Sequence, residues 1–543
     1  MNRFRMYLDI IAGLIIGLLA AFFIKREQRS IASQQENSDW REGIYILSLK
    51  RIATRKMTVL ALMIFFVAAG LFLRAFQVGS SSLWIDEGFT LAQVRAIQAH
   101  GYPLLASGRT EWKDALLPYL LSLIPVSDAV LWLRMVSVVF GTASIAVMYF
   151  LGKAVFGRRV AMLAAGMMAF SYWHIAWSRQ IRSYSLLVFF LLLCLALLFR
   201  YRETERMKFL IASVLSGAAA VMSKLSGGLL FAVGAGYLLA KKRRAYSGAS
   251  KAVLSIASVL MLIAGVWFWE NFSQGVSFVS SFRYLGFYTI EYLWKSFGIV
   301  FALALVGGYI AWHKRPKHRA EHQALIALFF LSLAFMSFFV YVNQKRYLFF
   351  ITPILFLYAA FLIEYGASLF KRKTLALVVL VGLCVGIDQL TVKSFLFTPK
   401  TFFALEAYTP QPDFKTAYAV LKETMLPEDV LVSAYPFMDQ RYLGRADYAL
   451  ALSYTGREGD LSVTNEHKEY YSGAPEILSI AQFKKLSAQS DVYVLLDDMA
   501  LDRVDPRYVD FIRNDAELFW GDKQPSGQGI FIYRWRRNVF EAM

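Results

Sequence analysis

Asp86 and Glu87 are the residues of this sequence best placed for proton transfer, because they open the long polar loop that follows an apolar stretch ending near residue 78. A carboxylate at a water boundary can accept the proton of a hydroxyl or an amine. Adjacent residues point in different directions on a helix, so the two cannot act as a paired acid and base on one atom. A structural alternative stays open, in which Asp86 is the N-cap of the amphipathic segment that follows and Glu87 lies in its first turn.

The second chemical feature is a set of basic residues in short loops on the same predicted face of the membrane. Cations in such positions can bind an anion, although arginines and aromatic residues at a membrane boundary also act as interface anchors. Glu111 and Asp114, later in the first long loop, are candidates for an acceptor contact or a second acid. The candidate cations are Arg179, Arg182, Lys224, Lys345 and Arg346, with Arg74 and Arg134 near helix ends on that face.

One carboxylate and several cations are what the transfer of a sugar from a lipid phosphate requires. The leaving phosphate needs positive charge as its bond breaks, and the acceptor needs one base. The two cysteines, Cys194 and Cys384, stand far apart in apolar stretches and give neither a disulfide framework nor metal-ligand spacing. The residues therefore leave the cofactor unspecified and a divalent metal unassigned.

The composition places these residues in a membrane. Hydrophobic residues make up 57% of the 543 positions and charged residues only 18%, against about a quarter charged in soluble domains. Apolar stretches of about 15–20 residues are long enough to cross a bilayer. The net charge is +19, but residues 392–543 carry 17 basic and 22 acidic residues. The basic excess thus flanks apolar helices and fixes topology, which argues against nucleic-acid binding.

Twelve membrane-associated helices are predicted, and the loops between them alternate in charge. One set of loops carries 27 Lys and Arg residues, and the short loops of the other set carry 7. The basic loops are therefore cytoplasmic, which puts the first long loop, 79–128, and the chain from about 392 outside. The segment 7–24 is predicted as an anchor or interfacial helix, because no small-residue cleavage site follows it. The predicted helices are 7–24, 58–78, 129–151, 160–176, 185–199, 209–222, 226–240, 252–269, 296–312, 324–342, 347–368 and 374–391.

The sequence pattern changes after residue 392 from long apolar runs to short helix-like and strand-like runs. Helix-like runs at 413–425, 478–487 and 506–514 alternate with strand-like runs at 429–434, 491–496 and 529–534, which is typical of a small α/β domain. The Pro-containing segment 393–412 is predicted as a linker.

The predicted architecture is a polytopic α-helical membrane protein with a C-terminal soluble α/β domain. Residues 1–57 form an anchor and a basic cytoplasmic segment. The transmembrane catalytic domain spans 58–391, and the non-cytoplasmic domain spans 392–543. A plasma (inner) membrane is the expected location.

Four segments of the chain, in order, resemble membrane glycosyltransferases of the GT-C superfamily. The likeness is strongest to the protein O-mannosyltransferase and aminoarabinose-transferase branch, families 39 and 83. The segments are Arg74 with 83–87 (LWIDE), 133–149, 178–186 (SRQIRSYSL), and 345–353 with its Lys-Arg-Tyr start and later Pro.

The resemblance implies an inverting transferase with about 11–12 transmembrane helices. It would move a sugar from a polyprenyl-phosphate donor to a lipid, glycan or protein acceptor on the non-cytoplasmic face. By this likeness Asp86 is the base or a key acceptor-side acid, Glu87 is secondary, and Arg182 with the other cations holds the phosphate. Three features depart from the family pattern: Gln180 replaces a common Glu, 113–119 (KDALLPY) replaces a His-Pro-Pro segment, and 7–24 is an additional helix.

Two other functions remain as alternatives. An O-antigen polymerase or ligase also uses polyprenyl-linked sugars, but it would centre its site on a large loop between late helices, whereas the longest outside loop here is the first. A lipid or sugar transporter or flippase would carry ionisable groups or Gly and Pro breaks near the midplane of several helices, and few such residues occur here. The sequence indicates neither the sugar nor the acceptor.

Overall fold

The chain divides into two compact units in the computed structural model, which describes residues 42–124, 130–239, 284–338, 340, 344–370, 412–453, 462–523 and 529–537. The first unit is Met1–Phe76, Ser137–Arg179 and Ser183–Leu396, and the second is Gln77–Val136, Gln180–Arg182 and Phe397–Met543. The first long loop and the C-terminal region thus belong to the same unit. The predicted helices at 7–24, 252–269 and 374–391, and nearly all of the linker, lie outside the described residues.

Six helices within the described residues are long and apolar enough to cross a membrane, or seven if one bent pair counts as a span. The chain is therefore an integral membrane protein. The helices of this apolar part and of the first long loop are α1 (Glu42–Ala75), α2 (Ile85–His100), α3 (Leu116–Ser122), α4 (Val130–Phe156), α5 (Arg158–Phe170), α6 (Tyr172–Ser178), α7 (Tyr184–Thr204), α8 (Met207–Ser223), α9 (Leu229–Leu239), α10 (Lys295–Lys314), α11 (Arg319–Phe338) and α12 (Thr352–Ser368).

Several predicted helices are confirmed in position but differ in continuity. The single helix predicted at 160–176 is wrong, because α5 and α6 meet at a 57° bend around Ser171, whose ψ of 121° is extended. A π-helix, Phe287–Trp294, precedes α10, and 3-10 turns at Leu225–Gly228 and Lys345–Ile351 precede α9 and α12. Hydrophobic runs locate a helix in the sequence, but these local breaks depend on packing and do not change the run.

The amphipathic segment in the first long loop forms the helix α2, as predicted. Its apolar residues at helical spacing, Leu91, Val94 and Ile97, are buried. The helix ends at Gly101, whose φ of 78° lies in the left-handed region that glycine adopts readily. This helix carries both candidate carboxylates in its first turn.

The C-terminal region contains a mixed five-stranded sheet in the order β2 (Tyr448–Ala449), β1 (Val430–Ser433), β3 (Val492–Asp497), β5 (Gly529–Trp535) and β4 (Glu517–Lys523). Strands β1 and β2 are parallel, as are β1 and β3, whereas β5 runs antiparallel to β3 and to β4. All six residues of β3 are buried, in keeping with its run of β-branched and aromatic side chains. The elements are α13 (Phe414–Thr424), β1 (Val430–Ser433), α14 (Pro436–Tyr442), β2 (Tyr448–Ala449), α15 (Ile480–Ser487), β3 (Val492–Asp497), α16 (Asp498–Leu501), α17 (Pro506–Asp515), β4 (Glu517–Lys523) and β5 (Gly529–Trp535).

All six elements predicted in this region are confirmed, and four short ones were missed. Strand β2 has two residues, and α14 and α16 have seven and four, which is too short for a periodic pattern. Strand β4 has seven residues but carries Glu517, Gly521, Asp522 and Lys523, whose types are rare in strands. The α/β domain is therefore predictable from its six main elements, whereas β2, α14, α16 and β4 are not.

Candidate functional site

Asp86 lies at the second position of α2, and its carboxylate is partly exposed. The helix begins at Ile85, with Trp84 at the N-cap position, so the alternative interpretation of Asp86 as the N-cap is wrong. The side chain of Asp86 retains 15% exposure, and its Oδ2 lies 3.4 Å from Nη2 of Arg182. A carboxylate at the amino end of a helix is favoured by the helix dipole, and this one is partly exposed to solvent.

Arg182 is tied to the same helix end by two further contacts. Its Nη1 donates to the backbone oxygen of Asp86 at 2.9 Å and to Oγ1 of Thr90 at 3.2 Å. Thr90 in turn donates to the Asp86 backbone oxygen at 3.2 Å. The guanidinium has five N–H donors in a planar fork, and with these Arg182 holds the amino end of α2.

Glu87 is completely buried, and each of its two carboxylate oxygens accepts two hydrogen bonds. Oε1 accepts from Nε of Arg134 at 2.9 Å and from the backbone N–H of Ile181 at 2.8 Å. Oε2 accepts from Nη2 of Arg134 at 2.6 Å and from the backbone N–H of Trp84 at 2.9 Å. Glu87 therefore caps α2 and joins it to a residue from each of two other segments, and this leaves no lone pair open for an acceptor.

Arg134 completes this buried pair. It is 1% exposed and donates to the backbone oxygens of Val78, Ser81 and Ser82 at 2.8, 3.2 and 2.9 Å, and to Oγ of Ser81 at 2.8 Å. The turn that leads into α2 is thus folded around the guanidinium. Removing one partner from a buried pair of this kind leaves an uncompensated charge, so Glu87 and Arg134 fix the approach to Asp86.

Arg179, predicted among the phosphate-binding cations, contacts the end of a helix in the first unit. Its Nη1 donates to the backbone oxygens of Leu73, Arg74 and Phe76 at 3.3, 3.1 and 2.7 Å. These carbonyls belong to the last turn of α1 and the residue after it, which have no partners within the helix. A buried cation at a helix C-terminus complements the dipole, so this contact is structural.

Lys224 and Arg346, in the first unit, lie against a common aromatic ring. The Lys224 ammonium is 5.4 Å from the ring centre of Tyr347 and 4.9 Å from that of Tyr184. The Arg346 guanidinium is 5.6 Å from the Tyr347 ring centre. All three distances fit cation–π contacts. Lys345 begins the 3-10 turn that carries Arg346. Arg182 belongs to the other unit, so its convergence with these cations stays a prediction.

Glu111 lies on a segment that α2 holds in place. Gln93 of α2 donates to the backbone oxygens of Glu111 and Lys113 at 3.3 and 3.1 Å. The Glu111 carboxylate accepts from the hydroxyl of Tyr470 at 3.4 Å. Burial, with the Glu111 carboxylate nearby, raises the pKa of the Tyr470 hydroxyl. Asp114 follows with a φ of 55°, in the left-handed region that Asp tolerates better than most residues.

Comparison with known proteins links the sequence and fold of this chain to one class of enzyme. Residues 115–269 match the family model of dolichyl-phosphate-mannose-protein mannosyltransferases. The crystal structure of ArnT from Cupriavidus metallidurans in the apo state is similar over 86% of this chain and 97% of its own, with a TM-score of 0.54 and 13% identity. The chain has the fold of the GT-C membrane glycosyltransferases, and its match to the mannosyltransferase family model within 115–269 makes it a glycosyltransferase.

Two further solved structures show the range of similarity to this glycosyltransferase. ArnT bound to undecaprenyl phosphate matches with a TM-score of 0.51 and 13% identity, again over 86% of this chain and 97% of its own. The oligosaccharyltransferase AglB from Archaeoglobus fulgidus, in complex with an inhibitory peptide and a dolichol-phosphate, matches with a TM-score of 0.49 and 13% identity over 88% and 74%. No curated protein sequence matches the chain significantly.

Sequence reasoning grouped Arg134 and Arg74 with the outer cations and missed their partners. Arg134 pairs with Glu87 of the glycosyltransferase, and Arg74 is fully buried, donating to the backbone oxygens of Gly70, Ala169 and Met168 at 3.0–3.1 Å and to Oγ of Ser178 at 3.3 Å. A single arginine inside an apolar helix signals a buried partner, and the residues around 134 (VLWLRMVSVV) carry that signal. Which partner it finds depends on the tertiary structure.

A metal requirement is not indicated by the described part of the chain. Among those residues, no three His, Cys, Asp or Glu side chains come together as potential ligands. The metal therefore stays unassigned for this glycosyltransferase.

Proposed function

We propose that this glycosyltransferase moves a sugar from a polyprenyl-phosphate donor to an acceptor on the non-cytoplasmic face, with Asp86 as the base. The carrying observation is the contrast within the first turn of α2, where Asp86 keeps an accessible carboxylate and Glu87 does not. Undecaprenyl phosphate bound to the similarly folded ArnT, and the family model named for a dolichyl-phosphate-mannose donor, support the donor class.

The proposed reaction is a single displacement at the anomeric carbon. The acceptor oxygen or nitrogen forms a bond to that carbon while the bond to the phosphate oxygen breaks, which inverts the anomeric configuration. Asp86 takes the acceptor proton, and polyprenyl phosphate leaves with the electron pair of the broken bond. Cations that contact the phosphate stabilise the charge that develops on it. Glu87 acts as a positioning residue in this scheme, because its oxygens are occupied by Arg134 and backbone donors.

Replacing Asp86 with Asn tests the assignment. Asn can still accept a hydrogen bond from Arg182, but it cannot take a proton, so turnover should fall by about 10²–10⁴. Release of polyprenyl phosphate from a panel of polyprenyl-phosphate sugars measures turnover. Asp515→Asn, an exposed carboxylate at the end of α17, is the matched control. A folded Asp86→Asn protein that turns over at the parent rate would reject Asp86 as the base.

The donor-phosphate site is proposed to use Arg182, Lys224 and Arg346, with Lys345 and Arg179 as further candidates. A charge-assisted contact contributes about 1.5–3 kcal/mol. Single Ala substitutions at the first three positions should therefore weaken binding of undecaprenyl phosphate roughly tenfold or more. Arg179→Ala should in addition lower thermal stability, because Nη1 of Arg179 donates to the end of α1. Unchanged binding in all three variants contradicts the proposed site.

The protein is proposed to lie in a plasma (inner) membrane, with its C-terminal region, 392–543, outside. This region is proposed to help bind or orient the acceptor. Its acidic balance and the basic loops of the apolar part support this sidedness. A cysteine at Ser247 should react with an impermeant thiol reagent only from the cytoplasm, and one at the exposed Asn514 only from outside. Labelling of both from one side contradicts the topology.

A further inference from the structure

The residues on both sides of Asp86 contact the C-terminal region within the second compact unit. Before it, Oγ of Ser82 accepts from the backbone N–H of Lys415 at 3.1 Å, and the backbone N–H of Leu83 donates to the hydroxyl oxygen of Tyr442 at 3.3 Å. After it, the Phe89 ring stacks on that of Tyr471, with centroids 4.4 Å apart. The amino end of α2 is therefore bracketed by groups from residues more than 300 positions later in the chain.

Helix α14 packs most closely on α2 at Gly88, two residues after Asp86. A Cβ atom at this glycine would lie 2.6 Å from Sδ of Met438 and 2.7 Å from the ring of Phe437. Such separations are too short for carbon, so only glycine allows α14 to pack this closely on α2. The Phe437 ring also lies 4.7 Å, centre to centre, from that of Phe89.

Helix α14 is itself fixed to strand β3 of the sheet at its start, and to helix α13 in its middle and at its end. The hydroxyl of Tyr435, which precedes the helix, donates to Oδ1 of Asp497 at 3.0 Å. Within the helix, Asp439 accepts from the hydroxyl of Tyr418 at 2.5 Å, and the Tyr442 ring stacks on that of Tyr418 with centroids 4.6 Å apart. The position of α14 therefore follows the positions of the sheet and of α13, and α14 fixes what packs on it.

We propose that α14 positions the catalytic carboxylate, with Tyr442, Phe437 and Met438 as positioning residues that hold the amino end of α2. The proposal rests on the assignment of Asp86 as the base. It gives the C-terminal region a role in turnover beyond acceptor binding. None of the three residues touches a reacting atom, so their loss should lower kcat and leave donor binding intact. A displacement of a base by about 1 Å can cost up to roughly a hundredfold in rate.

The first test removes the Tyr442 hydroxyl and keeps its ring. Tyr442→Phe should lower kcat roughly tenfold, keep the affinity for undecaprenyl phosphate within about twofold, and speed amide hydrogen exchange in the peptide 83–88. Tyr508→Phe is the matched control, because its hydroxyl donates to the backbone oxygen of Ile477 at 3.4 Å and takes no part in the α14 contacts. Equal kcat and equal exchange in the two variants would overturn the proposal.

The second test uses the close approach at Gly88. Gly88→Ala should lower kcat by more than tenfold, because the new methyl group collides with α14. Adding Met438→Ala removes one of the two colliding groups and should restore part of the lost turnover. Gly236→Ala is the control, since a Cβ there meets no atom within 4 Å. The contact is contradicted if the fold-decrease in kcat of the double variant equals or exceeds the product of the fold-decreases of Gly88→Ala and Met438→Ala.

Asp86→Asn, measured alongside, separates failure of this proposal from failure of the proposed function. If Asp86→Asn is silent, the base is misassigned, while hydrogen exchange at 83–88 still reports whether α14 holds this segment. If Asp86→Asn abolishes turnover but the variants at 442 and 88 behave as their controls do, α14 does not position the base.

Discussion

Buried carboxylates occur in two parts of the second unit, and they have different kinds of partner. Glu87, at the start of α2, is completely buried against the guanidinium of Arg134. Asp439 and Asp497, beside the C-terminal sheet, are 0% and 1% exposed and accept from the tyrosine hydroxyls of Tyr418 and Tyr435. The Glu87 carboxylate thus lies next to a full positive charge, whereas Asp439 and Asp497 accept only from neutral donors.

The two kinds of partner differ in how far they compensate the burial of a carboxylate. A neutral hydroxyl cannot compensate the loss of water around a carboxylate, so burial raises the pKa of Asp439 well above its usual range and that of Asp497 to about 6. At Glu87, four donors include two from one guanidinium, which makes a bidentate, charge-assisted pair. The turn before Asp86 therefore depends on an ion pair, and α14 is anchored by two acids whose pKa values are raised by burial.

The largest expected effect comes from breaking the ion pair. Glu87→Gln keeps the size of the side chain but leaves the Arg134 charge buried without compensation, which should destabilise the protein by about 3–5 kcal/mol. The thermal unfolding midpoint of the purified protein in detergent measures this loss. Glu87→Gln combined with Arg134→Met removes both charges and should be less damaging than Glu87→Gln alone. If the double variant is the less stable one, the pair does not act as a unit.

The next effect is a pH dependence that originates at Asp497. Its pKa is about 6 in the folded protein, against 3.8 for an ordinary Asp, so between these values the folded state binds more protons than the unfolded state. The free energy of unfolding should therefore fall as pH rises from about 4 to about 6, by roughly 3 kcal/mol in total. Asp497→Asn keeps an acceptor for Tyr435 and Ala500 and should remove this part of the pH profile. Parallel profiles for the two proteins would contradict the shift.

The smallest expected effect is at Asp439, and it sharpens the contrast with Glu87. Burial raises the pKa of this acid well above its usual range, so we expect a neutral side chain in the folded protein, which Asn resembles in size and in acceptor capacity. Asp439→Asn should change stability by no more than about 1 kcal/mol, whereas Asp439→Leu, which leaves the Tyr418 hydroxyl without its acceptor, should cost about 1–3 kcal/mol. A loss on Asp439→Asn as large as that of Glu87→Gln would show that Asp439 is ionised.

Prediction from sequence succeeded where a local pattern was long enough. The apolar runs located α4, α7, α8 and α12, and alternation of helices with β-branched runs gave the C-terminal α/β domain. It failed at the bend after Phe170 and at α14, because neither changes the periodicity of the chain around it. Helix α14 matters most among the missed elements, since it contacts the segment that carries the proposed base.

The sequence by itself determined that this chain is a membrane protein whose carboxylates and cations suit sugar transfer from a lipid phosphate, because hydropathy, charge alternation and residue type are local properties. Only the tertiary structure decided which of two adjacent carboxylates stays accessible. Glu87 finds Arg134 at a separation of 47 residues, and Arg182 reaches the backbone of Asp86 across 96. Pairings over such sequence separations depend on how the helices pack, and they cannot be predicted from the residues next to each partner in the chain.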